Sequence, residues 1–436
     1  MSAPVPAGED AELGALRVLA RRLGVGDGVR LLSPWTPLPP IAPGDEGSLS
    51  GAADLLLRFS PLPVLGVTGT AGKTTTARLA EAMLVASGVE ALTARDAPAG
   101  NAWPTAALLE RVLAARPPAW CVAELTSNHL AVCSASPRIA CITNVWPDHV
   151  DQHGSLAAYL GAKRRIVAFQ TAEDWVVVNA DDVGAVELAT ASGGRVLRCS
   201  LGGSGQVALA ASATWPPADA SAGVESGRLT VRLDGRVLDL GPAATLPLAP
   251  GRENGLVAAA AALLAGATPQ GIAHALAAWT GLALRREHLG VVDGSPVIRD
   301  ALAATPAKAA AGLALHPPGS VVLIAGGYDD LGGGAMHAAP GERELFDQAA
   351  EVAARACAHA ALFGPAAPRL AAALTAAGLA SVTVCATLAE AAADARGYAA
   401  PGRTILFAPW FPTTPAERAS VPVVLGLAPP THRTSS

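Results

Sequence analysis

The sequence lacks the signatures of several common protein classes. None of its 6 cysteines belongs to a C-x-x-C pair, so we expect free thiols in a reducing compartment and neither a zinc site nor disulfides. No run of basic residues stands out, and 31 basic residues against 36 acidic ones leave a net charge of −5. A nucleic-acid partner is therefore not expected.

Apolar runs of membrane-spanning length are also missing. The longest run rich in alanine and leucine, Gly255 to Ala265, is too short to cross a bilayer. The first residues show no basic stretch followed by an apolar one, as a signal peptide would. We therefore expect no membrane insertion and a cytoplasmic location. Hydrophobic residues still make up 51% of the chain, and many are alanines, which favour helices.

Apolar strand candidates alternate with helical patterns from Val64 onward. Strands are predicted at "PVLGVTG", "AWCVAELT", "RIACITNV" and "DWVVVNA", with helical stretches between them. This alternation predicts an α/β fold with a mainly parallel sheet that helices cover on both faces. Around Asp234-Gly235, alternating residues predict a β-hairpin.

The same rhythm restarts near Gly281. Strands are predicted at "GVVDGSPVIRDA", "SVVLIAGGY", "HAALFG", "SVTVCA" and "GRTILFAP", with alanine-rich helices between them. We interpret this part as a second doubly wound domain. Before Val64 the pattern is mixed, with one helical stretch, one short strand candidate and a loop rich in proline and glycine.

The stretch "GTAGKTT" stands between an apolar strand and a helical pattern. The standard phosphate-loop pattern has glycine six residues before its lysine, and Val67 occupies that position here. The turn still offers backbone N–H groups and a helix N-terminus to phosphate oxygens. Its lysine adds a positive charge and the next threonine a hydroxyl for Mg²⁺. We predict a phosphate-binding turn made of Gly69, Thr70, Ala71, Gly72, Lys73, Thr74 and Thr75.

Polar side chains follow two further predicted strands. Glu124 ends one strand, at the edge where ligands of parallel α/β sheets bind. Its carboxylate could complete a magnesium shell with Thr74, although a glutamate at this position can also be a simple cap. After the next strand, "DHVDQHG" contains His149, which suits a second metal or a phosphate oxygen, and the following helix carries Lys163. The alternative is a turn histidine and a solvated helix lysine.

These motifs together resemble the Mur ligase family, in particular its D-glutamate-adding branch. The resemblance covers roughly residues 50 to 420 and is most specific between Gly66 and Lys163. The matching residues are Gly69-Thr70-x-Gly72-Lys73-Thr74-Thr75, Glu124-Leu125-Thr126-Ser127, Thr143-Asn144-Val145, and Asp148-His149-x-Asp151-x-His153-Gly154-Ser155 with Tyr159 and Ala162-Lys163.

The resemblance implies a three-domain architecture. A nucleotide-sugar-binding domain, shortened relative to the family, would occupy residues 1–62. A central ATPase domain with a P-loop-type parallel sheet would occupy 63–280. A C-terminal Rossmann-like domain that binds the acceptor would occupy 281–436.

A reaction is implied as well. ATP would phosphorylate the carboxylate of UDP-N-acetylmuramoyl-L-alanine, and the amine of an amino acid, with D-glutamate first among the candidates, would attack the acyl phosphate. Such a ligase would serve peptidoglycan precursor synthesis, bind two Mg²⁺ ions and act as a monomer. Two other functions remain open: a Mur-like ligase with a different carboxylate or amine, and a non-catalytic nucleotide-binding paralogue.

The resemblance also assigns roles to single residues. Thr74 and Glu124 would hold one Mg²⁺, and His149 would help to hold a second together with a carbamate on Lys163. The catalytic residues would be Lys73, Glu124, His149 and Lys163. The ATP contacts outside the phosphate turn would be Asn254 at the adenine, Arg285 at the phosphates and Asp300 at the ribose. The substrate contacts would be Asn101, Thr126, Ser127 and Thr413.

The third-domain motifs differ from those of the family on the acceptor side. Ala301 and Ala304 stand where the family has hydroxyl residues, and Asp330 stands where it has a lysine. A dicarboxylate acceptor favours cationic and hydroxyl partners. We therefore predict weak D-glutamate affinity, or a preference for an acceptor with less negative charge, unless Arg299 or Lys308 supplies the missing charge.

Overall fold

The chain forms two compact units, which are described separately. The computed structural model describes residues 9–26, 28–33, 49–97, 100–202, 219–247, 251–328 and 342–428. The central unit contains the described residues before Pro147 and those from Gln152 to Thr280. The C-terminal unit contains Pro147–Asp151 and the described residues from Gly281 onward. The three domain limits at 1–62, 63–280 and 281–436 stay predictions.

The first elements of the central unit are two helices and a small pair of parallel strands. They are α1 (Glu9–Arg22), β1 (Arg30–Leu32), β2 (Leu49–Gly51) and α2 (Ala52–Phe59). Leu16 of α1 and Leu55 and Leu56 of α2 are fully buried in one apolar core with the helices on that side of the central sheet. The mixed pattern before Val64 thus contains β2 and α2, which the sequence analysis did not predict.

Nine strands form the central sheet. They are β3 (Val64–Thr68), β4 (Glu90–Leu92), β5 (Ala119–Glu124), β6 (Ile139–Ile142), β7 (Trp175–Asn179), β8 (Arg195–Cys199), β9 (Ala220–Glu225), β10 (Arg228–Leu233) and β11 (Arg236–Pro242). Their order is β11-β10-β9-β8-β7-β6-β3-β5-β4. In this order, every neighbouring pair from β9 through to β4 is parallel, whereas β9–β10 and β10–β11 are antiparallel. The predicted mainly parallel sheet is confirmed.

The hairpin predicted around Asp234-Gly235 joins β10 to β11. Leu233 and Arg236 pair directly, which leaves a two-residue loop. Asp234 and Gly235 both have positive φ, at +49° and +74°. This combination is the one that a type I′ turn requires, and Asp-Gly is among the pairs that adopt it readily.

Helices cover the central sheet on both faces. They are α3 (Lys73–Ala86), α4 (Ala106–Ala114), α5 (Ser127–Ala131), α7 (Leu156–Arg164), α8 (Val183–Ala189), α9 (Arg252–Leu264) and α10 (Pro269–Ala278). The short helix α6 (Val150–His153) begins in the C-terminal unit and ends in the central unit. Residues of α3, α9 and α10 share one core and residues of α4 and α8 another. Ala258 to Ala262 of α9 are all fully buried, and their small side chains allow close packing. Among the described helices, none has the length and apolar character needed to cross a membrane.

The C-terminal unit contains a second α/β sheet. Its elements are β12 (Glu287–Val292), β13 (Ser295–Arg299), α11 (Pro306–Leu313), β14 (Val321–Gly326), α12 (Glu342–Ala356), β15 (Cys357–Phe363), α13 (Ala367–Ala376), β16 (Val382–Cys385), α14 (Leu388–Arg396), β17 (Thr404–Trp410) and α15 (Pro415–Val424). The strand order is β12-β13-β17-β14-β15-β16. All pairs except β12–β13 are parallel. The α/β fold class is therefore confirmed in both units.

One strand prediction was wrong. "GVVDGSPVIRDA" is a hairpin of β12 and β13 and not a single strand, with Val292 paired to Ser295. Asp293 and Gly294 between them have positive φ, at +48° and +83°. The Asp-Gly pair carries the same turn signal as Asp234-Gly235.

Candidate active site

The phosphate turn, Gly69 to Thr75, joins β3 to α3 as predicted. Gly69 and Gly72 have positive φ, at +156° and +83°, and neither position has room for a side chain. A Cβ atom would lie 1.9 Å from Thr143 Oγ1 at Gly69 and 2.2 Å from Asn254 Oδ1 at Gly72. Helix α3 begins with no side-chain cap, at the kind of position where backbone N–H groups bind anions.

Lys73 lies on this turn. Its Nζ donates to the carbonyl oxygens of Gly69 at 3.1 Å and Thr70 at 3.2 Å. Asn144, just after β6, holds the middle of the turn, because its Oδ1 accepts from the Ala71 N–H at 2.8 Å. A phosphate bound by the turn would be within reach of the ammonium charge.

Thr74 and Glu124 meet at the carboxyl ends of two neighbouring strands. Thr74 Oγ1 lies 2.5 Å from Glu124 Oε2, to which it donates, and 3.2 Å from Asn101 Oδ1. Val67 of β3 pairs with Glu124 of β5, and this register brings the carboxylate to the start of α3. Glu124 does not cap the helix that follows it, since Thr126 is the N-cap of α5.

The Thr74 hydroxyl and the Glu124 carboxylate fit a Mg²⁺ ion that also binds nucleotide phosphates. Such an ion uses one or two carboxylates together with phosphate oxygens and water. The part of the chain that the structure describes contains no group of three His, Cys, Asp or Glu residues that could hold a metal.

Lys163 is buried against the phosphate turn. Its side chain is only 2% exposed, and its Nζ donates to the Gly69 carbonyl at 2.8 Å and lies 4.9 Å from the centre of the Tyr159 ring. The Tyr159 hydroxyl in turn lies 2.9 Å from Thr70 Oγ1. The alternative of a solvated helix lysine is therefore wrong, and α7 is tied to the turn at two points.

His149 belongs to the C-terminal unit. Its φ of +53° is unusual for a residue with a side chain. Its Nε2 lies 3.4 Å from Asp148 Oδ2 and 3.5 Å from Lys308 Nζ. Lys308 also pairs with Asp148 at 3.0 Å, so this lysine is already engaged with a carboxylate. A second metal at His149 stays a prediction.

The two predicted substrate contacts after β5 have protein partners. Thr126 caps α5 by accepting from the His129 N–H at 3.2 Å. Ser127 Oγ lies 3.0 Å from His153 Nε2. The first contact gives Thr126 a structural role, and the second places Ser127 beside a half-buried histidine.

His153 should make the protein less stable in acid. Burial, and to a smaller extent the charge of Lys163, lower the pKa of His153 to about 4. The unfolded chain binds this proton near pH 6.5. Stability should therefore fall as the pH drops from about 6.5 to about 4, because the unfolded state then binds more protons than the folded state. Melting temperatures measured across this window should fall less for His153→Gln than for the wild type. Parallel curves would contradict the shift.

Asp300 and Arg285 lie in the C-terminal unit, next to an arginine that the sequence analysis missed. Burial raises the pKa of Asp300, and the charges of Arg286 and Arg285 oppose that rise. The Arg286 guanidinium lies 3.2 Å from the Gly312 carbonyl and 3.3 Å from His316 Nε2. The doubled arginine in "LRREH" is the signal that could have drawn attention to it.

Two predicted acceptor-side residues, Arg299 and Thr413, differ in their hydrogen bonding. Arg299 donates to Glu287 Oε2 at 3.0 and 2.6 Å and to the Arg418 carbonyl at 2.8 Å, so moving it would break a buried ion pair. Thr413 is 4% exposed, and its buried hydroxyl has no hydrogen-bond partner among the described residues. A ligand would remove the cost of that unpaired group. Asp330 lies outside the described residues.

Comparisons with known proteins find one family across most of the chain. The family model of the Mur ligase middle domain matches residues 67–215, and that of the Mur ligase glutamate ligase domain matches residues 284–411. A UDP-N-acetylmuramoylalanine–D-glutamate ligase of Symbiobacterium thermophilum is 35% identical over 366 residues, which cover 83% of this chain and 73% of the relative. The ligase of the same name from Myxococcus xanthus is 34% identical over 393 residues, or 87% and 78% of the two chains.

Solved structures share the fold at lower identity. MurF from Acinetobacter baumannii has a TM-score of 0.60 at 18% identity and covers 93% of this chain and 87% of its own. A pseudomurein peptide ligase type C from Methanothermus fervidus has a TM-score of 0.59 at 18% identity, with coverage of 86% and 81%.

The fold and the site together define an α/β protein in which a lysine-bearing turn after one strand contacts a carboxylate at the end of the neighbouring parallel strand. The chain belongs to the Mur ligase family. It is an ATP-dependent ligase, as the resemblance implied. Mur ligases generally use Mg²⁺.

Proposed function

We propose that this protein joins D-glutamate to UDP-N-acetylmuramoyl-L-alanine with ATP, a step of peptidoglycan precursor synthesis. The contact between Thr74 and Glu124 carries the proposal, because a hydroxyl and a carboxylate that suit Mg²⁺ lie beside a lysine and a helix N-terminus. The names of the relatives at 34 and 35% identity support D-glutamate and the nucleotide sugar as substrates.

The residues of the central unit act on the ATP phosphates. The N-terminus of α3 and Lys73 bind and neutralise phosphate oxygens, which is the main task of a protein in phosphoryl transfer. Thr74 and Glu124 would hold one Mg²⁺, which would supply positive charge beside the transferred group. The carboxylate of the nucleotide sugar receives the phosphoryl group, and the amine of the acceptor then displaces phosphate.

Lys163 would carry a carbamate in the active enzyme, and that carbamate would hold a second Mg²⁺. The burial of Lys163 supports this proposal, because an ammonium removed from water is costly. A carbamate would replace that cation with the anionic oxygens that Mg²⁺ prefers. Its neighbour Tyr159 and the Gly69 carbonyl fix the end of the side chain beside the phosphate turn.

The acceptor binds in the C-terminal unit. The buried hydroxyl of Thr413 donates to an acceptor carboxylate, which satisfies an otherwise unpaired group. Arg299 does not serve as the acceptor's cation, because withdrawing it from Glu287 would cost about 3–5 kcal/mol, the cost of breaking a buried ion pair.

Phosphate release with UDP-N-acetylmuramoyl-L-alanine and a panel of amino acids tests the proposal. We expect ATP-dependent release that requires both the nucleotide sugar and D-glutamate, with L-glutamate and D-alanine as matched controls for stereochemistry and for the side-chain carboxylate. Release with a different amino acid alone would instead identify a Mur-like ligase of other specificity. No release with any amino acid would favour a non-catalytic nucleotide-binding paralogue.

A further inference from the structure

Arg78 joins the helix of the phosphate turn to residues 100–105, the Asn101 segment, which precede α4 in the chain. It lies in α3 four residues after Thr74, so both side chains leave the same face of the helix. Its Nη2 donates to the carbonyl oxygens of Ala94 at 2.7 Å, Gly100 at 3.2 Å and Asn101 at 3.1 Å. The Arg78 side chain is only 11% exposed. One guanidinium thus contacts three carbonyl groups from the part of the chain between β4 and α4.

Asn101 is consequently held to α3 at two points. Thr74 Oγ1 lies 3.2 Å from the Asn101 side-chain oxygen, and Arg78 binds the Asn101 main-chain oxygen. On the other side, the next residue, Ala102, exchanges two contacts with Glu124. The Glu124 N–H donates to the Ala102 carbonyl at 2.8 Å, and Glu124 Oε2 lies 3.4 Å from the Ala102 nitrogen. The segment is therefore fixed between α3 and β5.

The Asn101 carbonyl depends on such contacts, because the described residues 101–105 form no helix or strand. Gly100 has φ of +69°, which marks a turn immediately before Asn101. Carbonyl groups that are not paired in a helix or sheet need other donors when they are buried. Arg78 supplies this donor, and Glu81 holds the guanidinium from the same helix at 3.3 Å.

We propose that Arg78 is a positioning residue for the nucleotide-sugar substrate. It acts through Asn101, whose side chain it keeps beside Thr74 and Glu124, and it does not touch the substrate itself. This proposal rests on the proposed function, in which Asn101 contacts the nucleotide sugar. Lysine cannot replace it fully, because an ammonium is a point charge that does not reproduce the planar fork of a guanidinium.

Steady-state kinetics of Arg78→Met, Arg78→Lys and the control Arg95→Met test the proposal. Arg95 also contacts Glu81, but its side chain is 67% exposed. Misplacing a substrate contact by about 1 Å can cost up to about 100-fold in rate. We expect kcat/KM for UDP-N-acetylmuramoyl-L-alanine to fall about 10-fold to 100-fold in Arg78→Met and less in Arg78→Lys. The KM for ATP should change little, and Arg95→Met should resemble the wild type.

A double-mutant cycle separates positioning from general destabilisation. If Arg78 acts through Asn101, Arg78→Met should add little to the kinetic defect of Asn101→Ala. Full additivity of the two defects would overturn the proposal. So would an equal loss in Arg95→Met, or a fall in kcat with unchanged KM for the nucleotide sugar.

Hydrogen exchange tests the same contact without any substrate. In Arg78→Met, the backbone amides of the Asn101 segment should exchange faster than in the wild type, while those of β3 stay protected. Unchanged exchange in the Asn101 segment would overturn the positioning role. Faster exchange in a protein that shows no activity with the nucleotide sugar would support the contact of Arg78 with the Asn101 segment and contradict the proposed substrate. A failure of the positioning role and a failure of the proposed function are therefore distinguishable.

Discussion

Lys73→Ala should lose ATP turnover while keeping its fold. The ammonium lies on the phosphate turn, bound to the Gly69 and Thr70 carbonyls, where it would face the transferred group. Removing a preorganised charge of this kind should lower kcat by about 10²–10³ or more. Phosphate release at saturating substrates measures the loss, and the melting temperature shows whether the fold is retained.

Two control variants separate charge from position at the phosphate turn. Lys73→Arg keeps the charge but changes its shape and reach, so it should retain part of the activity. Arg95→Ala removes one positive charge from an exposed side chain and should leave turnover close to that of the wild type. Turnover near the wild-type level in Lys73→Ala would remove Lys73 from the phosphate site.

Lys163→Ala should be nearly inactive, and a small carboxylate such as acetate should restore part of the activity. The prediction follows from the buried position of Lys163 beside Gly69 and Tyr159 and from the carbamate proposed there. Acetate would supply the lost anionic oxygens to Mg²⁺. Phosphate release measured with increasing acetate checks the prediction.

The acetate experiment has an internal control in Lys73→Ala. Acetate should not restore that variant, because it lacks a cation and not an oxygen ligand. A fully active Lys163→Ala would contradict the catalytic role of Lys163. An unmodified Lys163 in a high-resolution experimental map of the active enzyme would contradict the carbamate and leave the lysine itself in place.

Local patterns were sufficient to predict much of the fold. The strands β3, β5, β6 and β7 are apolar runs between helical stretches, and buried parallel strands produce that pattern because both of their faces pack against helices. The hairpin at Asp234-Gly235 was predictable because two neighbouring residues determine the turn. The phosphate turn was predictable as a strand-to-helix connection because its residues are contiguous in the sequence.

The elements that the local patterns missed are short or carry competing signals. Strand β2 has only three residues, Leu49–Gly51, which is too few to show a period. The pattern around Asp293-Gly294 predicts a single strand, because the apolar residues on the two sides of this hairpin form one run in the sequence. In such cases the turn residues decide the structure, and the hydrophobic pattern does not.

Side-chain partners depend on residues far apart in the chain. Thr74 meets Glu124 across 50 residues, and Lys163 meets the Gly69 carbonyl across 94. The sequence placed these residues in motifs, but only the register of β3 against β5 brings Thr74 and Glu124 together. Likewise, nothing in the pattern around Lys163 indicates burial, and nothing around Arg299 indicates that Glu287 already holds it. Arg78 could be read only as a helix arginine until the fold placed three carbonyl groups around it. Motifs are contiguous and can be read along the chain, whereas burial and pairing arise from packing between distant segments.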